Sequence, residues 1–125
     1  METHLTPTTY SLATRDGAIV LTVRGDIDPF EPSELRANLM VAEVIPRHDL
    51  VVDLSGAESL SARVLDVLES AGARLAVERR RLVVVLRPQV AATARRQLFT
   101  RPVATSVADA YRILGKPRGT TGAAA

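Results

Sequence analysis

Two short apolar runs, residues 50–54 (LVVDL) and 82–86 (LVVVL), constrain the fold of this chain more than any other feature. Such runs, with almost no polar alternation, are typical of strands that are covered on both faces of a parallel sheet. Between them, apolar residues recur at helical spacing from Val64 to Leu75. The sequence therefore predicts two parallel strands that are joined by a helix packed on their sheet.

A hairpin is predicted ahead of this unit. Residues 10–14 and 18–24 read as strands, and the Asp16-Gly17 pair between them is a strong signal for a two-residue turn. Alternation places Tyr10, Leu12 and Thr14 on one face of the first strand. The two strands should therefore be antiparallel neighbours.

Three more helices are predicted from spacing and from end signals. The first contains Leu35, Leu39, Ala42 and Ile45 and should end at Pro46; the next opens at Pro88 and contains Val90, Ala91, Ala94 and Leu98; the last has Ser106 and Asp109 as a capping box and stops at Gly115. Val103 is predicted to form a short edge strand.

The order of these elements predicts an α/β fold, a mixed sheet of four to five strands with helices packed on it. We expect a flexible leader at residues 1–8, one domain at 9–115 and a disordered tail at 116–125. In such sheets the loops that follow the strands form the usual binding edge, which here comprises residues 25–33 (GDIDPFEPS) and 55–63 (SGAESLSAR).

Composition excludes several kinds of chemistry. The chain has no cysteine, which removes disulfides, thiolate metal sites and a cysteine nucleophile. It has no phosphate-binding glycine motif, and its two histidines, His4 and His48, are too few for a zinc site. No catalytic residue, metal or cofactor is therefore predicted.

No apolar run is long enough to span a membrane and no signal peptide is recognisable, so we expect a cytoplasmic protein.

Two charged groups have an ordinary explanation. Asp26, Asp28, Glu31 and Glu34 could do acid–base work, but carboxylates ahead of a helix more often cap it and suit its dipole. The arginine clusters at residues 79–81 and 95–96 could contact phosphates, but the net charge is only +2 and no aromatic residues are interleaved for base stacking. Solvated helix ends are the favoured interpretation, and nucleic acid is not the expected partner.

The segment at residues 55–64 raises a specific question. Ser61 is well placed to cap the following helix, yet Arg63 lies in its first turn, where the helix dipole makes a cation mildly unfavourable. We expect Arg63 to project towards an acidic group, either Asp28 or Glu58 of this chain or a carboxylate on a partner.

The chain resembles a STAS domain of the anti-sigma factor antagonist family over residues 8–115. The segments that carry the resemblance are VLTVRGDIDPFEPSELRANL, LVVDLSGAESLSARVLDVL, RRLVVVLRPQVAATARRQL and SVADAYRIL. In that family the second serine of an Asp-Ser-Ser-Gly motif is phosphorylated by a serine-kinase anti-sigma factor, which releases the two proteins from each other. The corresponding four places here read Ser61, Ala62, Arg63 and Val64.

The resemblance implies a non-enzymatic protein that binds an anti-sigma factor and so frees a sigma factor. Since Arg63 occupies the phosphoserine place, it implies that the usual switch is absent, with Ser59 and Ser61 as less favoured acceptors. Asp28 matches the Asp of the family's Gly-Glu-Leu-Asp loop. The predicted partner-binding residues are Asp28, Ser61, Arg63, Val64, Asp66 and Val67, with the two valines as apolar contacts.

Other readings stay open at this point. The chain could be a STAS subunit of a larger assembly, such as a lipid-transport complex or a stress-sensing scaffold. It could bind nucleic acid through its arginines, or be a small enzyme that uses Asp26, Asp28 or Glu31. The edge strand of the hairpin could also pair between two copies to form a homodimer.

Overall fold

The computed structural model describes residues 7–116. They form one five-stranded sheet in the order β1-β2-β3-β4-β5, in which β1 and β2 are antiparallel and the remaining pairs are parallel. The strands are β1 (Thr9–Arg15), β2 (Ala18–Arg24), β3 (Asp49–Asp53), β4 (Leu82–Val85) and β5 (Val103–Ala104); the helices are α1 (Ser33–Glu43), α2 (Ala62–Val77), α3 (Pro88–Arg96) and α4 (Val107–Ile113). This confirms the predicted α/β fold with a mixed sheet.

The turn between β1 and β2 has the predicted chemistry. Asp16 and Gly17 both have positive φ values, 50° and 83°, as a two-residue turn of the primed type requires. The register places Tyr10, Leu12 and Thr14 opposite apolar residues of β2 that point into the core. These three side chains therefore share one face, as alternation predicts.

The sheet is covered unequally on its two faces. Helices α1, α2 and α3 pack on one face, and α4 alone packs on the other, where Tyr111 is buried. Strands β3 and β4 lie between both layers, so their side chains are buried whichever way they point. This arrangement explains why residues 50–54 and 82–86 are almost continuously apolar.

Helix α1 ends earlier than predicted. The spacing extended it to Ile45, but its last residue is Glu43, and Val44 caps it. A proline disfavours helical geometry in the residue before it, so Pro46 removes Ile45 from the helix. Ile45 still packs partly against the core.

Helix α3 also ends before its predicted last apolar residue. Leu98 lies beyond the helix with a φ of +65°, and its side chain is exposed, so its prediction as part of this helix is wrong. The same turn brings Phe99 inward, where it is buried and its N–H bonds the carbonyl oxygen of Ala94. A residue in the left-handed conformation at a helix end changes the direction of the chain. Leu98 therefore points to solvent, and Phe99 points into the core.

Helix α4 shows the predicted end signals. The Ser106 hydroxyl accepts a hydrogen bond from the Asp109 N–H at 3.0 Å, and the Asp109 carboxylate accepts one from the Thr105 N–H at 3.1 Å. Gly115 follows the helix with a φ of +70°. Residues 1–6 of the predicted leader and residues 117–125 of the predicted tail lie outside the described residues.

Candidate partner-binding site

The two predicted binding loops meet at one edge of the sheet. β2 and β3 are parallel neighbours, so the segments that follow them, residues 25–32 and 54–61, leave the sheet side by side. The Ser61 hydroxyl donates a hydrogen bond to the Pro29 carbonyl oxygen at 2.8 Å and accepts one from the Val64 N–H at 3.2 Å. Ser61 therefore caps α2, as predicted, and also fastens the first loop to the start of that helix.

Asp28 shapes the first loop from within. Its carboxylate accepts hydrogen bonds from the N–H groups of Phe30 at 2.8 Å and Glu31 at 3.0 Å. These donors precede α1, so Asp28 holds the loop and does not cap the helix itself. The turn leaves the Phe30 side chain 78% exposed beside Pro29. Sequence reasoning missed Phe30, although a large aromatic residue in a polar loop was the available signal.

Arg63 lies in the first turn of α2 and is exposed. Within residues 7–116 it forms no ion pair, so neither Asp28 nor Glu58 is its partner in this structure. The helix end contributes partial positive charge of its own, and α2 has no acidic residue in its first turn to offset it. Arg63 therefore adds a full charge to an already electropositive position.

A groove of about 980 Å³ runs between α1 and α2, and Arg63 lines one end of it. Arg36 lines the same groove from α1, and Asp66 lies one helical turn beyond Arg63. Met40 and Val44, both more than half exposed, form an apolar wall. The groove thus combines exposed apolar surface with two arginines that have no ion pair within residues 7–116.

An ion pair between the two helices also lines this α1/α2 groove. Arg74 donates two hydrogen bonds to the Glu43 carboxylate, from Nε at 2.7 Å and from Nη2 at 2.8 Å. The hydrogen bonds from Glu43 raise the pKa of the Arg74 guanidinium above its ordinary value, despite some opposing desolvation. This pair joins the end of α1 to α2 across the groove.

The prediction of an apolar partner contact at Val64 is wrong, whereas the one at Val67 stays a prediction. Val64 is 1% exposed and belongs to the core beneath α2, so it is not available to a partner. Val67 is also buried, and it contributes to the floor of the α1/α2 groove. Both positions point towards the sheet because the helical period places them on the face that includes Leu68 and Ala71.

Ser59 lies apart from this groove. It is exposed and lines a smaller cleft of about 180 Å³ between the second loop and α3, together with Gln89 and Thr93. A group attached to Ser59 would therefore enter a different surface from the one that Arg63 lines.

The remaining sequence candidates do not assemble into a site. The α1/α2 groove is lined by none of Asp26, Asp28, Glu31 and Glu34. No group of three metal-ligating side chains occurs in the described part of the chain, and His48 hydrogen-bonds the Pro46 carbonyl oxygen at 2.8 Å, as expected of a loop histidine. None of the helices in residues 7–116 is long and apolar enough to cross a bilayer.

The arginine cluster at residues 79–81 is not a uniform solvated face. Arg80 is only 6% exposed, and its guanidinium bonds three backbone carbonyl oxygens and the Glu78 carboxylate. Arg81 bonds the Leu114 carbonyl oxygen and lies 3.9 Å from Asp49. Only Arg79 of the three lacks such contacts within residues 7–116. Since the other two guanidinium groups are engaged within the domain, this cluster gives little support to the hypothesis of nucleic-acid binding.

Comparison with protein families identifies the domain. The family model described as "Mlab, STAS domain" matches residues 10–103, from β1 to the start of β5. The chain belongs to the STAS domain family.

The STAS fold is also found in a solved structure that resembles this one. A serine-to-glutamate variant of RsbS from Moorella thermoacetica aligns with a TM-score of 0.69 at 18% identity, covering 85% of this chain and 94% of that chain. At this identity the likeness establishes the shared STAS fold. No curated protein matches the sequence significantly.

Proposed function

We propose that this STAS protein is an anti-sigma factor antagonist, which binds an anti-sigma factor and so releases a sigma factor. Partner recognition occurs at the surface formed by the Pro29–Phe30 turn, the start of α2 and the α1/α2 groove. The protein acts by contact and carries out no reaction. The observation that carries the proposal is the exposed Arg63, without an intramolecular ion pair in residues 7–116, at the place where the resemblance puts the phosphoserine.

A kinase-operated release is disfavoured at this surface. Arg63 cannot accept a phosphoryl group, and the Ser61 hydroxyl already donates to Pro29 and accepts from Val64. Phosphorylation of Ser61 would remove its donated proton and add about −1.5 to −2 charge, so it would break the bond that holds the first loop. Binding is therefore set by the supply of partner and not by a phosphate on this helix.

The partner should present a carboxylate to the electropositive end of the groove. Arg36 and Arg63 supply two positive charges there, and the N-terminus of α2 adds partial positive charge. Met40 on α1 and Val44 at the end of α1 supply exposed apolar area along the groove, and Phe30 supplies more in the loop before α1. A carboxylate that loses water between two arginines can become a binding hot spot of about 2 kcal/mol or more.

A second candidate is a subunit role in a larger assembly. The matching family model is described as "Mlab, STAS domain", a description that does not mention sigma-factor control. The same surface would then hold a permanent neighbour in the assembly.

The test is capture of partners by the tagged full-length chain in its own host, comparing Arg63→Glu with Arg95→Glu. Wild type and Arg95→Glu should retain an anti-sigma factor, and Arg63→Glu should bind it about 30-fold more weakly. An acidic residue suits the first turn of α2, whereas Arg95 lies in the last turn of α3. The unfolding free energy of Arg63→Glu should therefore exceed that of Arg95→Glu by several tenths to about 1 kcal/mol. Unfolding would then not explain a loss of binding in Arg63→Glu.

Three results would count against the proposal. If Arg63→Glu captures the partner as well as wild type does, the proposed surface is not the binding surface. If the unbound fraction carries phosphate on Ser59 or Ser61, a kinase-operated switch is present after all. Stoichiometric recovery of a multi-subunit complex without an anti-sigma factor would favour the second candidate.

A further inference from the structure

The two edges of the sheet differ in how they are protected. β5 is only two residues long, and a short edge strand offers little to a neighbouring chain. β1 has seven residues and pairs with β2 in an unbroken register without a bulge. It contains no proline, and its one charged residue, Arg15, is at its end. β1 therefore lacks the features that usually prevent an edge from pairing.

The turn defines which backbone groups of β1 face outward. In a two-residue hairpin, the residues that flank the turn, Arg15 and Ala18, form a hydrogen-bonded pair. Alternation then directs the N–H and C=O groups of Tyr10, Leu12 and Thr14 away from β2. Within residues 7–116 these groups have no backbone partner on their outer side.

The segment that leads into β1 does not cover this edge in its described part. The Thr8 hydroxyl donates to the Asp26 carbonyl oxygen, and Pro7 lies against Gly25. Residues 7 and 8 therefore continue along the chain that follows β2, on the inner side of β1.

The outer edge of β1 is complementary to itself. Its midpoint is Leu12, so an antiparallel pair of β1 strands that overlaps fully places Leu12 opposite Leu12 and Tyr10 opposite Thr14. Arg15 then lies opposite Thr9, so no like charges face each other across the strands. The same register aligns the outward N–H and C=O groups of the two copies.

We propose that β1 pairs with β1 of a second copy of this chain, in antiparallel register centred on Leu12, to form a homodimer with one continuous sheet. The contact involves none of the residues that line the α1/α2 groove, so it leaves that surface open in each copy. The contact is a single strand pair that spans about 24 Å. Because an interface of this size is small, the dimer should be reversible and its population should depend on protein concentration.

The test is sedimentation equilibrium of the full-length chain from micromolar to near-millimolar concentration. Wild type should change from monomer to dimer. Leu12→Lys and Leu12→Glu each place like charges opposite each other at the centre and should weaken self-association by about tenfold or more. An equimolar mixture of the two variants should recover the dimer, because opposite charges then face each other. The matched control is Val77→Lys, which also changes an exposed apolar residue but lies on α2.

Several outcomes would overturn the proposal. These are a wild-type chain that stays monomeric throughout, a dimer that persists in Leu12→Lys, and equal loss of the dimer in Val77→Lys. If the Leu12 variants fail to fold, amide hydrogen exchange of the wild type decides. Tyr10, Leu12 and Thr14 must then become protected as concentration rises, and unchanged exchange at these amides rejects the interface.

Discussion

The hydroxyl of Ser61 and the carbonyl oxygen of Pro29 lie 2.8 Å apart and form a hydrogen bond between two loops that are distant in sequence. The same hydroxyl accepts the Val64 N–H at the start of α2. One side chain therefore holds the helix start, where Arg63 is exposed, in a fixed relation to the turn that exposes Phe30. The proposed partner surface depends on this relation, because its charged and apolar parts come from different loops.

Ser61→Ala should remove both roles of the hydroxyl. It should cost about 1 kcal/mol of unfolding free energy through the lost cap. It should also release residues 26–32, so amide exchange of Phe30 and Glu31 should accelerate and partner binding should weaken. Chemical denaturation, hydrogen exchange and a binding assay measure the three effects.

Ser106→Ala is the matched control for this prediction. Ser106 caps α4 through the Asp109 N–H with the same geometry, but no bond from its hydroxyl to another loop is present in residues 7–116. It should lose similar stability with unchanged exchange at residues 26–32. If the two variants have the same exchange in this loop, the Ser61–Pro29 bond does not hold it.

Arg80→Met should destabilise the fold strongly. The Arg80 guanidinium donates to the carbonyl oxygens of His48 at 2.6 Å, Ile45 at 2.7 Å and Glu43 at 2.8 Å, which lie at the end of α1 and in the turn that follows. Removing it leaves these carbonyl oxygens without their donor, and we expect a loss of about 2–4 kcal/mol in thermal or denaturant unfolding.

Two further variants test the reason for this loss. Arg80→Lys keeps the charge but cannot reach three acceptors in a planar fork, so it should recover less than half of the stability. Arg79→Ala, at the exposed position that precedes Arg80 in the sequence, should change the unfolding free energy by less than about 0.5 kcal/mol. Wild-type stability in Arg80→Lys would mean that charge alone matters here.

Glu69→Gln should make stability less dependent on pH in the acid range. Burial alone would raise the pKa of the Glu69 carboxyl, but hydrogen bonds from Thr100 and Arg101 outweigh it and lower the pKa below its ordinary value of 4.5. The ionised form therefore stabilises the fold above that value, and this contribution is lost as pH falls through the lowered pKa. At neutral pH the variant should be about 1 kcal/mol less stable than wild type, and the difference should shrink to nothing in acid.

Thermal unfolding between pH 2 and pH 7 checks this prediction, and Glu58→Gln is its control. Glu58 is exposed and makes no ion pair within residues 7–116, so its replacement should change stability little across the range. A Glu69→Gln difference that stays constant from neutral pH to pH 2 would show that ionisation of Glu69 is not its source.

Local patterns were sufficient to predict the elements. The apolar runs at 50–54 and 82–86, the Asp16-Gly17 turn and the Ser106 cap each act through residues that are close in sequence, so side-chain identity carries the signal. The predicted ends of α1 and α3 were less accurate. There, Ile45 and Leu98 continue an apolar spacing that the backbone does not follow, because the helix end depends on conformation as well as on hydrophobicity.

By itself, the sequence determined the α/β fold, the resemblance to STAS domains and the place of Arg63 in the first turn of α2. The tertiary structure alone decided that Ser61 holds the Pro29 turn, that Arg80 is buried and that Val64 faces the core. The acceptors of Ser61 and of three Arg80 bonds are backbone carbonyl oxygens 32 to 37 residues away. Since every residue carries such a carbonyl, no side-chain pattern marks which one a distant donor will reach.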